Sequence, residues 1–233
     1  MNDQRTSNRS DSVDWANRSR FVYSLVRALF TIIFRTRVIR FRCEGLENVP
    51  DAGAAMLMSN HQSNLDPVLL GWPLVRPLTI PGKKELFGVP LLGGLLTLLG
   101  AFPVDRELAD AGALRRSIEA LKSGRLVAVF PEGGRSRTGE IGKFHTTLVR
   151  VAVRQRVPIV PVAIAGSSDV LAPGRVTPRL GRRIVVVYGE PLLFRSSEVR
   201  PADEDLTCWA EETRARVISL HERAALLLRN RQR

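Results

Sequence analysis

The chain has 233 residues, 44% of them apolar and 25% charged, which excludes a disordered, collagen-like or disulfide-stapled protein. Its unusual feature is the charge: 35 Lys and Arg oppose 23 Asp and Glu, giving a formal net charge of +12, and 31 of the 35 cations are Arg. Such a field indicates an anionic partner, namely nucleic acid, a membrane surface or phosphorylated substrates, unless genomic codon bias towards Arg is its sole cause. Cys43 and Cys208 stand far apart and lack metal-ligand spacing, so we expect a reducing compartment and no disulfide framework.

The first part of the chain predicts a flexible polar tail followed by a membrane-associating helix. Residues 1–20 are rich in Ser, Asn and Arg and lack the apolar core of a signal peptide. Residues 21–37 contain the run FVYSLVRALFTIIF, which is shorter than the about 20 apolar residues that span a bilayer. The Arg cluster that follows comprises Arg35, Arg37, Arg40 and Arg42. An interfacial anchor on anionic lipid is favoured over a buried helix followed by a strand, which predicts a peripheral (monotopic) protein on the cytoplasmic face of the cell membrane.

Residues 38–200 alternate strand-like and helix-like segments, which predicts an α/β domain with a largely parallel sheet flanked by helices. The expected strands are 38–43, 54–59, 79–80, 126–130, 159–165 and 184–188. The expected helices start at Asp66-Pro67, where Asp can cap and Pro fits the first helical position, and cover 110–122 and 145–154. Residues 86–102 are apolar but interrupted by Gly and Pro. This pattern is compatible with a broken helix that lines an acyl groove, or with a segment of the hydrophobic core. Residues 201–233 predict a C-terminal amphipathic helix.

Three polar clusters follow short apolar runs, and in parallel sheets ligands bind beyond the carboxyl ends of the strands. The clusters are residues 60–66 (NHQSNLD), 100–106 (GAFPVDR) and 130–136 (FPEGGRS). In the first, a loop can fold the Asp66 carboxylate onto one imidazole nitrogen of His61, which fixes the tautomer and leaves the other nitrogen free as a base. The alternatives are that His61 is a structural histidine and that Asp66 is only a helix cap.

The other two clusters supply candidate phosphate ligands. Arg106 and Arg135 each follow a strand-like run beside glycines, and paired guanidinium donors match phosphate oxygens. Lys83 and Lys84 can add positive charge at the opening of the same expected phosphate site. Alternatively they are simply exposed to solvent, as any of the Arg can be. Glu132 can receive a substrate hydroxyl or pair with an Arg.

Together the clusters resemble the glycerolipid acyltransferase family typified by 1-acylglycerol-3-phosphate acyltransferases, over roughly residues 38 to 195. The matching blocks, in the family's order, are NHxxxxD at Asn60, His61 and Asp66, G-x-F-x-x-R at Gly100, Phe102 and Arg106 with one extra residue before the Arg, F-P-E-G-T-R-S at 130–136, and V-P-I-V-P at 157–161. Gly134 replaces the family's usual Thr, which removes a hydroxyl beside the expected phosphate site. His145 stands where the family usually continues with Lys and Gly, so it is a candidate substrate-facing residue as well as a structural or solvated one.

The resemblance implies acyl transfer from a thioester, acyl-CoA or acyl carrier protein, to lysophosphatidic acid, giving phosphatidic acid in phospholipid biosynthesis. His61 is then the general base, Asp66 orients it, and Arg106 and Arg135 hold the acceptor phosphate, without a covalent acyl-enzyme, a cofactor or a metal. The remaining expected substrate-binding residues are Glu132, Gly133, Lys83 and Lys84. The alternatives are acylation of glycerol-3-phosphate, a lysophospholipid or another lipid hydroxyl, and a non-catalytic basic protein that binds membranes or nucleic acid. Nucleic acid is not expected, because aromatic residues make up only 6% of the chain. The oligomeric state is left open.

Overall fold

The computed structural model describes most of the chain from residue 39 onwards. The described residues are 24–25, 28, 31–32, 39–88, 92–98, 100–104, 111–136, 138–175, 177–194 and 201–230. The predicted tail, Arg35, Arg37 and Arg106 lie outside them. The predicted membrane-associating helix is described at five positions only, so its membrane role stays a prediction.

The described residues form a seven-stranded sheet in the order β1-β7-β6-β2-β5-β3-β4. The strands are β1 (Arg40–Glu44), β2 (Ala55–Ser59), β3 (Leu78–Lys83), β4 (Ala101–Val104), β5 (Leu126–Val129), β6 (Ile159–Ala165) and β7 (Arg183–Tyr188). The five strands from β6 to β4 are parallel, whereas β7 is antiparallel to β6 and carries β1 parallel to itself. The predicted α/β fold with a largely parallel sheet is confirmed.

Helices cover both faces of this sheet. They are α1 (Asp66–Gly71), α2 (Lys84–Phe87), α3 (Leu92–Leu98), α4 (Ala111–Lys122), α5 (Thr146–Gln155), α6 (Ser167–Val170) and α7 (Asp203–Arg229), with a 3-10 turn at Leu46–Asn48. Within the described part of the chain, no helix combines the length and apolar character that crossing a membrane requires.

The apolar run at 86–102, expected to be a broken helix or core, contains the end of α2 and the whole of α3, and it ends in a strand that was not predicted. Gly100 adopts φ +88°, a left-handed conformation that glycine enters without strain, and turns the chain back after α3. The residues that follow pair in parallel with β3, with Ala101 opposite Ile80. β4 therefore adds an outer strand beside β3 and ends at the same edge of the sheet.

Two apolar layers fix the central strand. Ala55 and Leu57 of β2 pack in the cluster on one face, while Met56 and Met58 pack in the cluster on the other, as the two-residue period of a strand requires. All five residues of β2 are buried, and a fully buried Leu or Met side chain contributes about 1.5–3 kcal/mol. The end of β2 is consequently a rigid support for the residues that follow it.

Candidate active site

The loop after β2 is fastened to its neighbours by polar side chains. The Asn60 amide donates to the carbonyl of Ile164 at 2.9 Å and accepts from its N–H at 2.8 Å, which ties the loop to β6. The Ser63 hydroxyl donates to the carbonyl of Leu171 at 2.7 Å. These bonds hold His61 at the carboxyl edge of the parallel strands.

His61 and Asp66 form a buried pair. Nδ1 of His61 lies 2.9 Å from Oδ2 of Asp66, and the two side chains are 4% and 0% exposed. The same carboxylate oxygen accepts the backbone N–H groups of Gln62 and Ser63, each at 2.7 Å. The expected capping by Asp66 is wrong, because Leu65 takes the N-cap position and Asp66 is the first residue of α1, with its hydrogen bonds directed back into the loop. With Nδ1 donating to the carboxylate, the lone pair of the neutral imidazole is on Nε2.

Phe130 covers one face of the His61 ring. The two ring centroids are 4.0 Å apart and the planes lie within 18° of parallel. Phe130 directly follows β5, which is hydrogen-bonded to β2 and ends at the same edge. The stacked ring excludes water from that face and limits the rotation of the imidazole.

Glu132 holds two loops together through its carboxylate. Oε1 accepts the backbone N–H of His61 and Oε2 accepts the backbone N–H of Gly142, both at 2.9 Å. Its neighbour Gly133 has φ +73°, and a Cβ there would lie 3.1 Å from Nε2 of His145. By contrast, nothing lies within 4 Å of the position that a Cβ of Gly134 would take. Gly133 is thus required by its backbone and by His145, while Gly134 leaves open space.

The cationic candidates are distributed along the same edge. Nη1 of Arg135 donates to Oδ1 of Asn64 at 3.0 Å, so Arg135 is held beside the His61 loop. Lys83, at the carboxyl end of β3, is exposed and pairs with Glu85 at 3.5 Å, and the exposed Lys84 begins α2. Arg106 lies outside the described residues.

Three supporting residues were given no role in the sequence analysis. Asn64 positions Arg135, Phe130 stacks on the catalytic candidate, and Ser63 fastens the loop. The sequence indicated these residues only by placing them within the polar clusters. It did not reveal their contacts, because their partners lie far away in the sequence.

A cavity of about 480 Å³ opens at His61. Its wall includes Phe130, Gly133 and Gly134, together with the apolar side chains of Val104, Leu114, Val129 and Leu148. A basic nitrogen beside a mainly apolar chamber can activate a hydroxyl while a hydrocarbon chain lies next to it. Among the described residues, no group of His, Cys, Asp and Glu is arranged to hold a metal ion.

Comparison with known proteins gives concordant matches. The acyltransferase family model matches residues 40–165. The chain is 32% identical to a 1-acyl-sn-glycerol-3-phosphate acyltransferase of Pseudomonas aeruginosa, covering 83% of this chain and 77% of the relative. It is 30% identical to the enzyme of the same name from Bacillus subtilis, covering 76% and 86%. A chloroplastic relative from Arabidopsis thaliana is 33% identical over 58% of this chain, which spans 38% of that relative's length.

A solved structure matches as well. The crystal structure of the 1-acyl-sn-glycerophosphate (LPA) acyltransferase PlsC from Thermotoga maritima superposes with a TM-score of 0.70 at 28% identity. The match covers 87% of this chain and 80% of that chain.

Proposed function

The chain belongs to the acyltransferase family, and from that premise we propose that it transfers a fatty acyl group from a thioester to the free hydroxyl of lysophosphatidic acid, giving phosphatidic acid. The names of its relatives support this acceptor. The observation that carries the proposal is the buried His61–Asp66 pair, whose His61 lines an apolar cavity, because such a pair supplies a base next to space for an acyl chain.

The proposed reaction uses His61 as the base. Its Nε2 removes the proton of the acceptor hydroxyl as that oxygen attacks the thioester carbonyl, and Asp66 stabilises the resulting imidazolium through Nδ1. The tetrahedral intermediate then collapses, the C–S bond breaks, and the imidazolium returns the proton to the departing thiolate. General base catalysis of this kind contributes roughly 10²–10⁴-fold.

The acceptor phosphate is proposed to bind the cations of the same edge. Arg135 is fixed by Asn64 near the His61 loop, and a guanidinium offers paired donors to phosphate oxygens. We propose Arg106, Lys83 and Lys84 as further cations of this site. Glu132 has both oxygens engaged by backbone N–H groups, which supports a role in holding the site rather than a substrate contact.

We propose a peripheral protein on the cytoplasmic face of the cell membrane, where the acceptor lipid and either acyl-CoA or an acyl carrier protein are available. The surplus of Arg over acidic residues favours an anionic surface.

A product analysis tests the proposed function. The purified protein is given both positional isomers of lysophosphatidic acid, glycerol-3-phosphate and lysophosphatidylcholine, each with labelled acyl-CoA and with labelled acyl carrier protein. The proposal expects phosphatidic acid from one isomer, and a much lower kcat/KM for the acceptor that lacks a free phosphate monoester. Thioester hydrolysis without acylated product, or preferential acylation of lysophosphatidylcholine, would contradict it.

A further inference from the structure

The connection between α6 and β7 carries a set of cations that the proposed reaction does not use. We call residues 171–183 the basic loop; its sequence LAPGRVTPRLGRR contains four Arg and no acidic residue. Arg175, Arg179 and Arg182 are exposed, and Arg183 is half-buried. The exposed Arg40 of β1 joins them, because its N–H donates to the carbonyl of Arg182 at 2.9 Å.

The basic loop lies at the same edge of the sheet as His61. Since β7 runs antiparallel to β6, with Val185 opposite Ala165, the amino end of β7 is at the edge where the parallel strands end. At its other end the loop is joined to the His61 loop, since the Leu171 carbonyl accepts the Ser63 hydroxyl. His61 and these cations therefore lie at one edge of the sheet.

The charge of the five guanidinium groups is not neutralised by acidic residues within the described part of the chain. No described acidic residue forms an ion pair with any of them, namely Arg40, Arg175, Arg179, Arg182 and Arg183. Cations that are left unpaired on one surface attract an anionic partner, and the attraction is lost at high salt.

An exposed leucine lies among these cations. Leu180 is 65% exposed and stands between Arg179 and Arg182, at a turn made by Gly181 with φ +75°. An apolar side chain presented at a loop tip between arginines matches a lipid interface, where guanidinium groups meet phosphates and the leucine enters the boundary with the acyl chains. In the N-terminal segment that precedes β1, Leu25 and Ile32 are likewise exposed, each at 61%.

We propose that the basic loop is a membrane-docking surface for anionic phospholipid headgroups, with Leu180 inserted between them, so that the edge bearing His61 faces the bilayer. This inference rests on the proposed function only in that the acceptor is a lipid. An acidic acyl carrier protein is the competing partner for the same cations, but an isolated protruding leucine gives it no apolar groove to fill.

The test compares two double variants of the whole protein that lose the same charge. Arg179→Gln/Arg182→Gln removes two cations of the basic loop, whereas Arg125→Gln/Arg154→Gln removes two exposed cations near the opposite edge of the sheet. Cosedimentation is measured with vesicles of phosphatidylcholine containing one third phosphatidylglycerol, and with phosphatidylcholine alone. Because each Arg near an anionic surface contributes about fivefold, the loop variant should bind the anionic vesicles about 25-fold more weakly, and the control variant much less so.

Activity measurements separate this proposal from the proposed function. The loop variant should keep wild-type kcat/KM on short-chain, monodisperse lysophosphatidic acid with acyl-CoA, and lose activity on acceptor embedded in anionic vesicles. Leu180→Ser should weaken vesicle binding while leaving the thermal unfolding midpoint unchanged. Equal vesicle binding by the two double variants, or a loss confined to reactions with acyl carrier protein, would overturn the docking surface. If the wild type fails on the short-chain acceptor, the proposed function fails, whatever the vesicles show.

Discussion

Replacing Asp66 by Asn tests how the carboxylate supports the base. Nδ1 and Oδ2 are 2.9 Å apart, so the charge centres of the imidazolium and carboxylate are roughly 4 Å apart. At an effective dielectric constant of about 20, their attraction is about 4 kcal/mol. An amide oxygen keeps the hydrogen bond but loses the charge, so we expect a loss of about 2–4 kcal/mol of transition-state stabilisation, or roughly 30- to 1000-fold in kcat/KM.

The same substitution also destabilises the fold. If the amide oxygen takes the place of Oδ2, it still accepts the N–H groups of Gln62 and Ser63, but the NH₂ group takes the place of Oδ1, which is buried without a partner among the described residues. Because Oδ1 is already unsatisfied within the described part of the wild-type chain, the loss comes mainly from replacing a charged acceptor by a neutral one opposite two backbone N–H groups, about 1 kcal/mol for each bond. The unfolding midpoint should therefore fall, and rates must be measured well below it.

The assay is thioester release coupled to phosphatidic acid formation, with Asp169→Asn as the matched control. Asp169 is an exposed carboxylate of α6 at the same edge, so its loss changes the charge without touching His61. The control should stay within about threefold of the wild type, given that surface changes are usually within about ±0.5 kcal/mol. A folded Asp66→Asn variant with more than a third of wild-type kcat/KM would refute the reasoning.

Three further predictions follow from individual side chains. Glu132→Ala should lower the free energy of unfolding by about 2–3 kcal/mol in urea titrations, because two hydrogen bonds to backbone N–H groups are lost. It should also lower kcat more than it raises KM, whereas Glu140→Ala, at an exposed position, should change neither stability nor rate. A rise in KM alone would instead show that Glu132 contacts the acceptor directly. Burial, together with the charges of nearby glutamates, raises the pKa of Cys43 to about 12. Brief iodoacetamide treatment at about pH 8 should therefore alkylate the exposed Cys208 and leave Cys43 unmodified. Peptide mass spectra that show alkylated Cys43 and unmodified Cys208 would contradict the burial of Cys43. Burial lowers the pKa of His221 below its ordinary 6.5, so the unfolded chain binds the proton more readily than the folded one. The free energy of unfolding should therefore fall as the pH drops below about 6.5, and it should fall less steeply in His221→Gln. Equal slopes of the free energy of unfolding against pH in the two proteins would show that His221 is not responsible.

Local pattern was sufficient to predict the strand that carries the catalytic candidate. β2 is an apolar run followed by a polar cluster, and the loop of that cluster folds the Asp66 carboxylate back onto Nδ1 of His61. The roles of Glu132 and Asn64 could not be predicted in this way. Each bonds a residue 71 positions away, and no local periodicity reports such a contact.

Strand direction was equally hidden from the sequence. A short buried strand such as β7 reads the same whether it runs parallel or antiparallel to its neighbour, yet its reversal is what brings the basic loop to the catalytic edge. The strand at the end of the apolar run at 86–102 was not predicted, for a related reason. Whether such residues form a helix or a strand is decided by a partner, here β3, and not by their own hydrophobicity.

The central claim is that His61 is the general base, and the rate of acyl transfer by His61→Ala measures it most directly. With the folded variant, a labelled acyl thioester and saturating lysophosphatidic acid, the rate of phosphatidic acid formation should fall by roughly 10²–10⁴-fold. Retention of more than about a tenth of the wild-type rate would contradict this role for His61.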